Sequence, residues 1–297
     1  MNKSRTLVFF GNERLSSGFE LHGAPTLQAL IDHGYDVKAV VAHYEKGASR
    51  NARALELQTV ADQHNIPVLL PDKPSLIVGQ LMDLQADAAV LAAYGRIIPQ
   101  SVIDIFPYGI LNIHPSLLPE YRGPTPIEQA ILDGTAETGV SIMRLVRAMD
   151  AGPIYAQQKI ALKGTETKQE LTTSLLTMGI QMLIEILPRV FAGSAQPWEQ
   201  DESQATCTSL IRKEDGILDP SKSAARLEHE VRAYAGWPKS RLQVGPHTII
   251  VTKAHVAQEH EDPLSLACNP GFLHIDELIA PSGKKMSGAE FLRGYRL

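Results

Sequence analysis

The sequence predicts an α/β protein in which a mostly parallel sheet with covering helices is followed by a small β-barrel domain. Over about the first 190 residues, short apolar runs alternate with segments of helical periodicity. Such alternation is typical of parallel strands, because parallel neighbours must be joined by a long crossover that is usually a helix. Beyond residue 207, several short strand candidates separated by Gly and Pro turns surround one helix, which is the pattern of a small barrel.

The elements of the first part follow from hydrophobic spacing. A wholly apolar strand over residues 6–10 stops at Gly11, and the pattern then predicts a helix over 26–33, a strand over 37–42, a helix over 51–64 and a buried strand over 88–92. Residues 109–114 form the next strand, which ends at Pro115 because proline cannot continue a sheet. Strands over 139–145 and 154–162 flank a loop. A helix over 167–192 is expected to break at Pro188.

A polar, aperiodic stretch separates the two parts of the chain. Residues 194–204 have the composition of a linker. We therefore expect a first domain over residues 1–193, a linker over 194–207 and a second domain over 208–297. In the second domain, residues 223–234 have the spacing of an amphipathic helix, and strands are expected over 241–244, 247–257, 271–274 and 277–279. Trp237 is expected to lie in the core of this barrel.

Composition narrows the class of protein. In a chain of 297 residues, 44% hydrophobic residues is enough for sizeable cores, and a net charge of −5 argues against binding of nucleic acid over the whole surface. Cys207 and Cys268 lack neighbours at metal-ligand spacing, so neither a disulfide framework nor a zinc site is predicted. The first residues contain no apolar run long enough for a signal peptide or a membrane span. We expect a cytoplasmic monomer without contact to a membrane.

The end of the strand over residues 109–114 carries two polar side chains. Asn112 and His114 are two residues apart, so they project from the same face of the strand. A side-chain amide and a titratable ring fixed side by side could stabilise a developing oxyanion and move a proton. The alternative is a polar strand end with a structurally hydrogen-bonded histidine, and the spacing alone leaves both interpretations open.

Three motifs in order resemble a known family. Asn112-Ile113-His114 with Ser116-Leu117-Leu118-Pro119 resembles the core of the 10-formyltetrahydrofolate-dependent formyltransferases. Met149-Asp150-Ala151-Gly152-Pro153 resembles the Asp-x-Gly turn of that family, and residues 92–99 resemble its Ala-Tyr-Gly segment. The resemblance implies a Rossmann-like formyltransferase domain with 10-formyltetrahydrofolate as the formyl donor and no metal.

The same resemblance implies roles for individual residues. Asn112 and His114 would stabilise the oxyanion that forms when an amine attacks the formyl group, and Asp150 would orient the histidine ring or accept the proton of the amine. Loops would hold the flat folate ring. The residues expected against the folate are Ser116, Leu117, Leu118, Pro119, Ala93, Tyr94 and Gly95.

The second domain carries a resemblance of its own. Residues 232–238 are similar to the Arg-x-x-x-x-Trp-Pro signature in the C-terminal domain of the methionyl-tRNA formyltransferases, residues 284–292 are similar to the end of that domain, and residues 211–215 to its beginning. This resemblance implies an OB-like barrel and an initiator methionyl-tRNA as the formyl acceptor, hence a role in translation initiation.

The match to the family is weakest near the N-terminus. The family has Gly-Thr-Pro after the first strand, where this chain has Gly11-Asn12-Glu13 and a longer loop over residues 14–24. The loop over residues 43–53 lacks the Pro-Asp-x-x-x-Gly-Arg motif with which the family engages tRNA, although it keeps basic side chains. The residues expected to contact tRNA are Lys46, Arg50, Arg53, Arg212 and Lys213.

Three other functions share part of these features. A sugar-nucleotide amine formyltransferase would use the same three catalytic residues and the same folate, but it would not explain the resemblances in the second domain. A formyltetrahydrofolate hydrolase shares the first domain, yet such enzymes typically carry a regulatory domain before it. A non-catalytic tRNA-binding protein would not need Asn112, His114 and Asp150 together.

Overall fold

The structure is a computed structural model that describes residues 5–12, 23–43, 56–259 and 264–296. The part before residue 194 contains the following strands and helices: β1 (Thr6–Gly11), α1 (Pro25–Asp32), β2 (Asp36–Val41), α2 (Glu56–Gln63), β3 (Val68–Leu69), α3 (Val78–Asp83), β4 (Ala88–Ala92), α4 (Gln100–Ile103), β5 (Ile110–His114), α5 (Pro126–Asp133), β6 (Glu137–Arg144), β7 (Ile154–Ala161) and α6 (Lys168–Phe191). The predicted strands and helices of this part are confirmed within about two residues at most ends.

These strands form one sheet in the order β3-β2-β1-β4-β5-β6-β7. The five strands from β3 to β5 run parallel, and β6 and β7 add an antiparallel edge. The sheet is therefore mostly parallel, as predicted. Because the parallel strands share one direction, β1, β4 and β5 all end at the same edge, where open α/β sheets bind ligands.

Helices cover both faces of the sheet, so its central strands are apolar on both sides. In β1, Leu7 and Phe9 pack into a core that α6 covers, while Val8 and Phe10 pack into a second core on the opposite face. All four of these side chains are fully buried. The continuous apolar run of β1, rather than an alternating one, follows from this burial on two sides.

Helix α6 supports the strand that carries the candidate site. Gly179 lies so close to β5 that a Cβ at this position would come within 2.5 Å of Cγ2 of Ile113. The prediction that Pro188 breaks this helix is wrong, because α6 continues to Phe191. Pro188 lies on the exposed face while Leu187 and Val190 remain buried, so packing holds the last turn despite the missing backbone hydrogen bond.

Helix α6 also has the length and composition of a membrane span. Half of its apolar window is buried inside the fold, as in the core helix of a globular domain.

The part after residue 207 forms a second, antiparallel sheet. Its elements are α7 (Ala224–Ala233), β8 (Ser240–Val244), β9 (His247–Ala257), β10 (Ser265–Ala267), β11 (Phe272–Ile279), β12 (Lys285–Ser287) and α8 (Gly288–Gly294). The order is β10-β11-β9-β8, with β12 paired to β11, and this small curled sheet agrees with the predicted OB-like barrel. The two strands predicted over 271–274 and 277–279 are one strand. The acidic residues at their junction, Asp276 and Glu277, lie at a bulge that shifts the register without ending β11.

The two parts pack directly on each other through α7. Arg226 and His229 of this helix donate hydrogen bonds to the carbonyl oxygen of Leu132 at the end of α5, at 2.5 and 3.2 Å. The cationic Arg226 is favourable there, because the last carbonyl groups of a helix carry partial negative charge. Trp237 is 41% exposed, so its predicted place in the barrel core is wrong; its Nε1 donates instead to the carbonyl oxygen of Ile211.

Candidate active site

Asn112 and His114 lie side by side at the end of β5, as the spacing predicts. Leu111 and Ile113 point into the core under α6, so the two polar side chains project from the opposite face. Asn112 is 5% and His114 4% exposed. Among the described residues, the side-chain amide of Asn112 has no hydrogen-bond partner. An unpaired amide in a nearly buried residue is available to a ligand that accepts its N–H.

The turn between β6 and β7 brings a carboxylate to the histidine. Oδ2 of Asp150 lies 3.8 Å from Nδ1 of His114 and accepts a hydrogen bond of 2.8 Å from the backbone amide of Gly123. Asp150 has a φ of 50°, a strained backbone conformation for a residue other than glycine. Such strain is common where a side chain must be aimed at a functional site. The structure thus brings together Asn112, His114 and Asp150.

The orientation of the His114 ring is set by a backbone carbonyl group. Nε2 of His114 lies 3.0 Å from the carbonyl oxygen of Tyr121. A carbonyl oxygen only accepts, so Nε2 carries a hydrogen and Nδ1 is the nitrogen that faces Asp150. The 3.8 Å between Asp150 and the ring is too long for a hydrogen bond. The resemblance implies that Asp150 orients the ring or accepts the proton of the amine, and in the structure the hydrogen bond to the ring comes from the carbonyl oxygen of Tyr121.

Tyr121 links this site to a cleft between the two parts of the chain. Its backbone has a φ of 56°, its amide donates to Oγ1 of Thr206, and its hydroxyl donates to Oδ2 of Asp133 at 3.1 Å. Burial and the charge of Asp133 raise the pKa of Tyr121 to about 12, so the hydroxyl remains a donor at neutral pH. The cleft beside it has a volume of about 530 Å³, and both Arg226 and Tyr234 of the second part also line it.

The loop over Ser116, Leu117, Leu118 and Pro119 is held by the two edge strands. Ser116 is fully buried, and its hydroxyl donates to the carbonyl oxygen of Glu120 at 2.6 Å. Ser141 of β6 accepts from the amide of Leu118 and donates to the carbonyl oxygen of Ser116. Gln157 of β7 donates to the carbonyl oxygen of Leu118.

Sequence reasoning missed Ser141 and Gln157. The available signal was a polar residue inside the apolar run of β6, whose register pairs Ser141 with both His114 and Gln157.

The loop over Ala93, Tyr94 and Gly95 follows β4, the strand next to β5. Ala93 and Gly95 both have positive φ, so the chain turns sharply at the edge of the sheet. The ring of Tyr94 points into the core, where it packs edge to face against Phe10 with 5.5 Å between ring centroids. Burial raises the pKa of Tyr94 to about 12. The backbone of this loop, rather than the tyrosine side chain, is therefore the part available to a ligand.

The residues predicted to contact tRNA are only partly described. Lys46, Arg50 and Arg53 lie outside the described residues. Lys213 is exposed at the start of a short 3₁₀ turn over Lys213–Gly216, at the beginning of the second part, and Arg212 is exposed immediately before it. Within the described part of the chain, no group of three or more His, Cys, Asp and Glu side chains could hold a metal ion. Cys207 and Cys268 are both free thiols.

Two protein-family models match this sequence. The model described as formyl transferase matches residues 16–187, and the model described as formyl transferase, C-terminal domain, matches residues 210–296. A methionyl-tRNA formyltransferase from Chloroflexus aurantiacus is 41% identical over 255 residues, which cover 84% of this chain and 80% of that protein. The methionyl-tRNA formyltransferase of Roseiflexus castenholzii is 38% identical over 298 residues, which cover 93% of this chain and 95% of that protein.

Solved structures of more distant proteins share the fold. HypX from Aquifex aeolicus, in complex with tetrahydrofolic acid, matches 97% of this chain and 46% of its own length with a TM-score of 0.66 and 18% identity. The N-formyltransferase of Helicobacter canadensis, in complex with folinic acid and dTDP-3-aminofucose, matches 95% of this chain and 99% of its own with a TM-score of 0.68 and 16% identity. At these identities the similarity shows a common fold.

Proposed function

The chain belongs to the formyl transferase family, and we propose that it transfers the formyl group of 10-formyltetrahydrofolate to the α-amine of methionine esterified to initiator tRNA. The observation that carries the proposal is the placement of the buried Asn112 and His114 beside the partly buried Asp150 at the edge of the sheet. The relatives with this name match the chain over most of its length, the second domain included. Their agreement over both domains favours the tRNA reaction over transfer to a sugar nucleotide or hydrolysis of the folate.

The proposed mechanism uses the three residues in separate roles. When bound, 10-formyltetrahydrofolate supplies an activated formyl carbon, which the amine attacks. Asn112 would donate to the formyl oxygen as negative charge develops on it, since its amide has no other partner among the described residues. One proton must leave the amine and one must reach the leaving nitrogen of the folate. Nδ1 of His114, with the charge of Asp150 beside it, is placed to carry that proton.

The folate would lie between the loops on either side of this trio. We propose that the backbone of Ala93–Gly95 and that of the Ser116–Pro119 loop contact the flat ring. Ser141 and Gln157 already fix the second loop by hydrogen bonds to its backbone, so its shape is set before a ligand binds. Ser116 is not proposed as a nucleophile, because its hydroxyl is committed to the carbonyl oxygen of Glu120.

The second domain, residues 208–297, is proposed to bind the acceptor arm of the tRNA. Arg212 and Lys213 are exposed at its beginning, and Lys46, Arg50 and Arg53 of the first domain are proposed as further phosphate contacts. Initiation of translation takes place in the cytoplasm, and we propose that the protein acts there as a monomer with both substrate sites in one chain. Sedimentation of the protein with and without tRNA would test the monomer.

The test compares acceptors with 10-formyltetrahydrofolate as donor. We expect formylation of charged initiator tRNA and none of amino-sugar nucleotides. His114→Ala, Asn112→Ala and Asp150→Asn should each lower kcat by about 10² or more while folate binding survives, because each removes a positioned donor or proton carrier. His64→Ala, at an exposed histidine after α2, is the matched control. Normal kcat in all three variants, with folding intact, would contradict the assignment.

A further inference from the structure

The connecting segment over residues 194–207 is part of the first domain's surface rather than a free tether. Trp198 and Ile154 exchange two backbone hydrogen bonds, of 2.9 and 3.0 Å, so the segment pairs with the start of β7. The amide of Arg122 donates to the carbonyl oxygen of Thr206, and the amide of Thr208 donates to that of Arg122. Composition predicted a linker, but these contacts fasten the segment beside the candidate active site.

Gln200 is the buried centre of this attachment. Its residue exposure is 9%. Nε2 donates to the carbonyl oxygens of Asp150 and Gly152, at 2.8 and 2.7 Å. Oε1 accepts from Nε and Nη2 of Arg122, at 3.0 and 2.8 Å. Both ends of the side-chain amide are therefore fully used, and both hydrogens point at the turn that carries the carboxylate.

Arg122 holds Gln200 from the other side. Its side chain is 8% exposed, and its guanidinium pairs with both carboxylate oxygens of Glu202, at 2.9 and 2.7 Å. A planar guanidinium shared between a carboxylate and an amide oxygen has little freedom to move. The hydrogen bonds thus form a chain. Glu202 binds Arg122, Arg122 binds Gln200, and Gln200 binds the backbone carbonyl groups of Asp150 and Gly152.

We propose that Gln200 is a positioning residue for Asp150. It acts through the two carbonyl oxygens that flank the turn, and it keeps the carboxylate at its distance from Nδ1 of His114. The inference rests on the proposed function, in which Asp150 takes part in the proton transfer. It also assigns a role in catalysis to the segment between the domains, which composition alone describes as a linker.

Gln200→Glu separates this role from simple packing. The substitution keeps the shape of the side chain and its contact with Arg122, but it replaces the donor that faces the two carbonyl oxygens by a carboxylate oxygen. We expect kcat to fall about tenfold to a hundredfold with KM for both substrates within about twofold of wild type, since a shift of 1 Å costs about this much. Gln204→Glu is the matched control, because Gln204 is an exposed glutamine of the same segment.

Two measurements test that the effect passes through Asp150. In a double-mutant cycle, Gln200→Glu should lower kcat much less in the Asp150→Asn background than in wild type, because the group that it positions is already disabled. Hydrogen–deuterium exchange over residues 147–154 should speed up in Gln200→Glu and stay unchanged in Gln204→Glu. The exchange does not depend on activity. It therefore tests whether Gln200 holds the turn around Asp150, even if the enzyme proves to use another substrate.

The outcomes are distinguishable. Independent, multiplying effects of the two substitutions, or unchanged exchange over residues 147–154, would overturn the role of Gln200. A wild-type protein that fails to formylate charged tRNA would overturn the proposed function. The exchange result would still show whether Gln200 holds the turn around Asp150.

Discussion

Replacing Gly152 by alanine tests how tightly the carboxylate turn is built. A Cβ on this residue would lie 1.8 Å from the carbonyl oxygen of Arg144 and 3.2 Å from Cε of Met143. The oxygen belongs to the end of β6. There Arg144 pairs with Leu111 of β5, and the amide of Arg144 donates to the carbonyl oxygen of Pro153. Because β6 lies between β5 and β7 in the sheet and the amide of Arg144 is bonded to the carbonyl oxygen of Pro153, the turn rather than the strand must give way.

The size of the displacement follows from the geometry. A carbon–oxygen contact is comfortable at about 3.3 Å, so the turn must move by roughly 1.5 Å to accept the methyl group. Asp150 is two residues away and would move with it. A shift of about 1 Å in a catalytic group can lower the rate about 10²-fold. Crowding of this kind also lowers the free energy of unfolding, by about 1–3 kcal/mol.

The assay measures kcat for formylation of charged initiator tRNA together with thermal unfolding and folate binding. We expect Gly152→Ala to lower kcat by about 10², with folate bound normally, since a displaced carboxylate disables proton transfer but leaves the folate loops in place. Gly79→Ala is the control. Gly79 is exposed on α3, nothing lies within 4 Å of an added Cβ, and alanine should stabilise that helix by about 0.5–1 kcal/mol.

A Gly152→Ala protein whose kcat lies within twofold of wild type would refute this reasoning. It would mean that the turn can shift without moving the carboxylate, or that the carboxylate need not be where the structure places it. Loss of folding alone would show as a lower Tm with an unchanged kcat below the unfolding transition.

Three further predictions concern a buried hydroxyl, a buried ion pair and the tRNA contact. The pKa of Tyr94 rises from 10 to about 12 on folding, so this residue's contribution to stability is present below pH 10 and is lost between pH 10 and 12, where the unfolded chain ionises first. Its hydroxyl has no partner among the described residues, so Tyr94→Phe should not lower Tm at pH 7. Between pH 7 and pH 11 the Tm of this variant should fall by less than that of wild type. An equal fall in the two proteins would contradict this. Lys168 and Glu128 form an ion pair of 3.5 Å with both side chains almost fully buried, so Lys168→Met should lower the free energy of unfolding in urea by about 3–5 kcal/mol, and a second change, Glu128→Gln, should recover most of it. Lys213→Ala should weaken tRNA binding and lower the slope of log Kd against log salt concentration by about 0.7–0.9. Lys73→Ala, at an exposed lysine of the first domain, should leave that slope unchanged. Equal slopes for both variants would show that Lys213 does not contact the tRNA.

Local spacing was enough to predict most elements of this protein. The strand predicted over residues 88–92 is β4 and the one predicted over 247–257 is β9, with the same boundaries in the structure. Both carry apolar side chains on at least one buried face, and burial of such a face is what a hydrophobic pattern records. The same local rule placed Asn112 and His114 on one face of β5, because the alternation of side chains is a property of any strand.

Predictions failed where packing over a distance overrode a local signal. The α6 helix passes through Pro188 because its neighbours on the buried face hold the last turn. Trp237 stays half exposed, although its size and apolar ring favour a core position. The segment over residues 194–207 has no hydrophobic spacing and so was predicted as a linker. Its conformation is fixed by hydrogen bonds to residues far away in the chain, and such contacts produce no hydrophobic periodicity in the sequence.

The sequence by itself therefore determined the two-domain plan, the α/β sheet and the identity of the polar residues at its edge. Only the tertiary structure decided how these residues meet. The turn between β6 and β7 places Asp150 within 3.8 Å of His114. The backbone carbonyl oxygen of Tyr121 fixes the orientation of the His114 ring, and Gln200 of the connecting segment binds the backbone of Asp150. The physical reason is that a hydrogen bond depends on distance and direction in space. Neither quantity is encoded in the spacing of residues that lie dozens of positions apart.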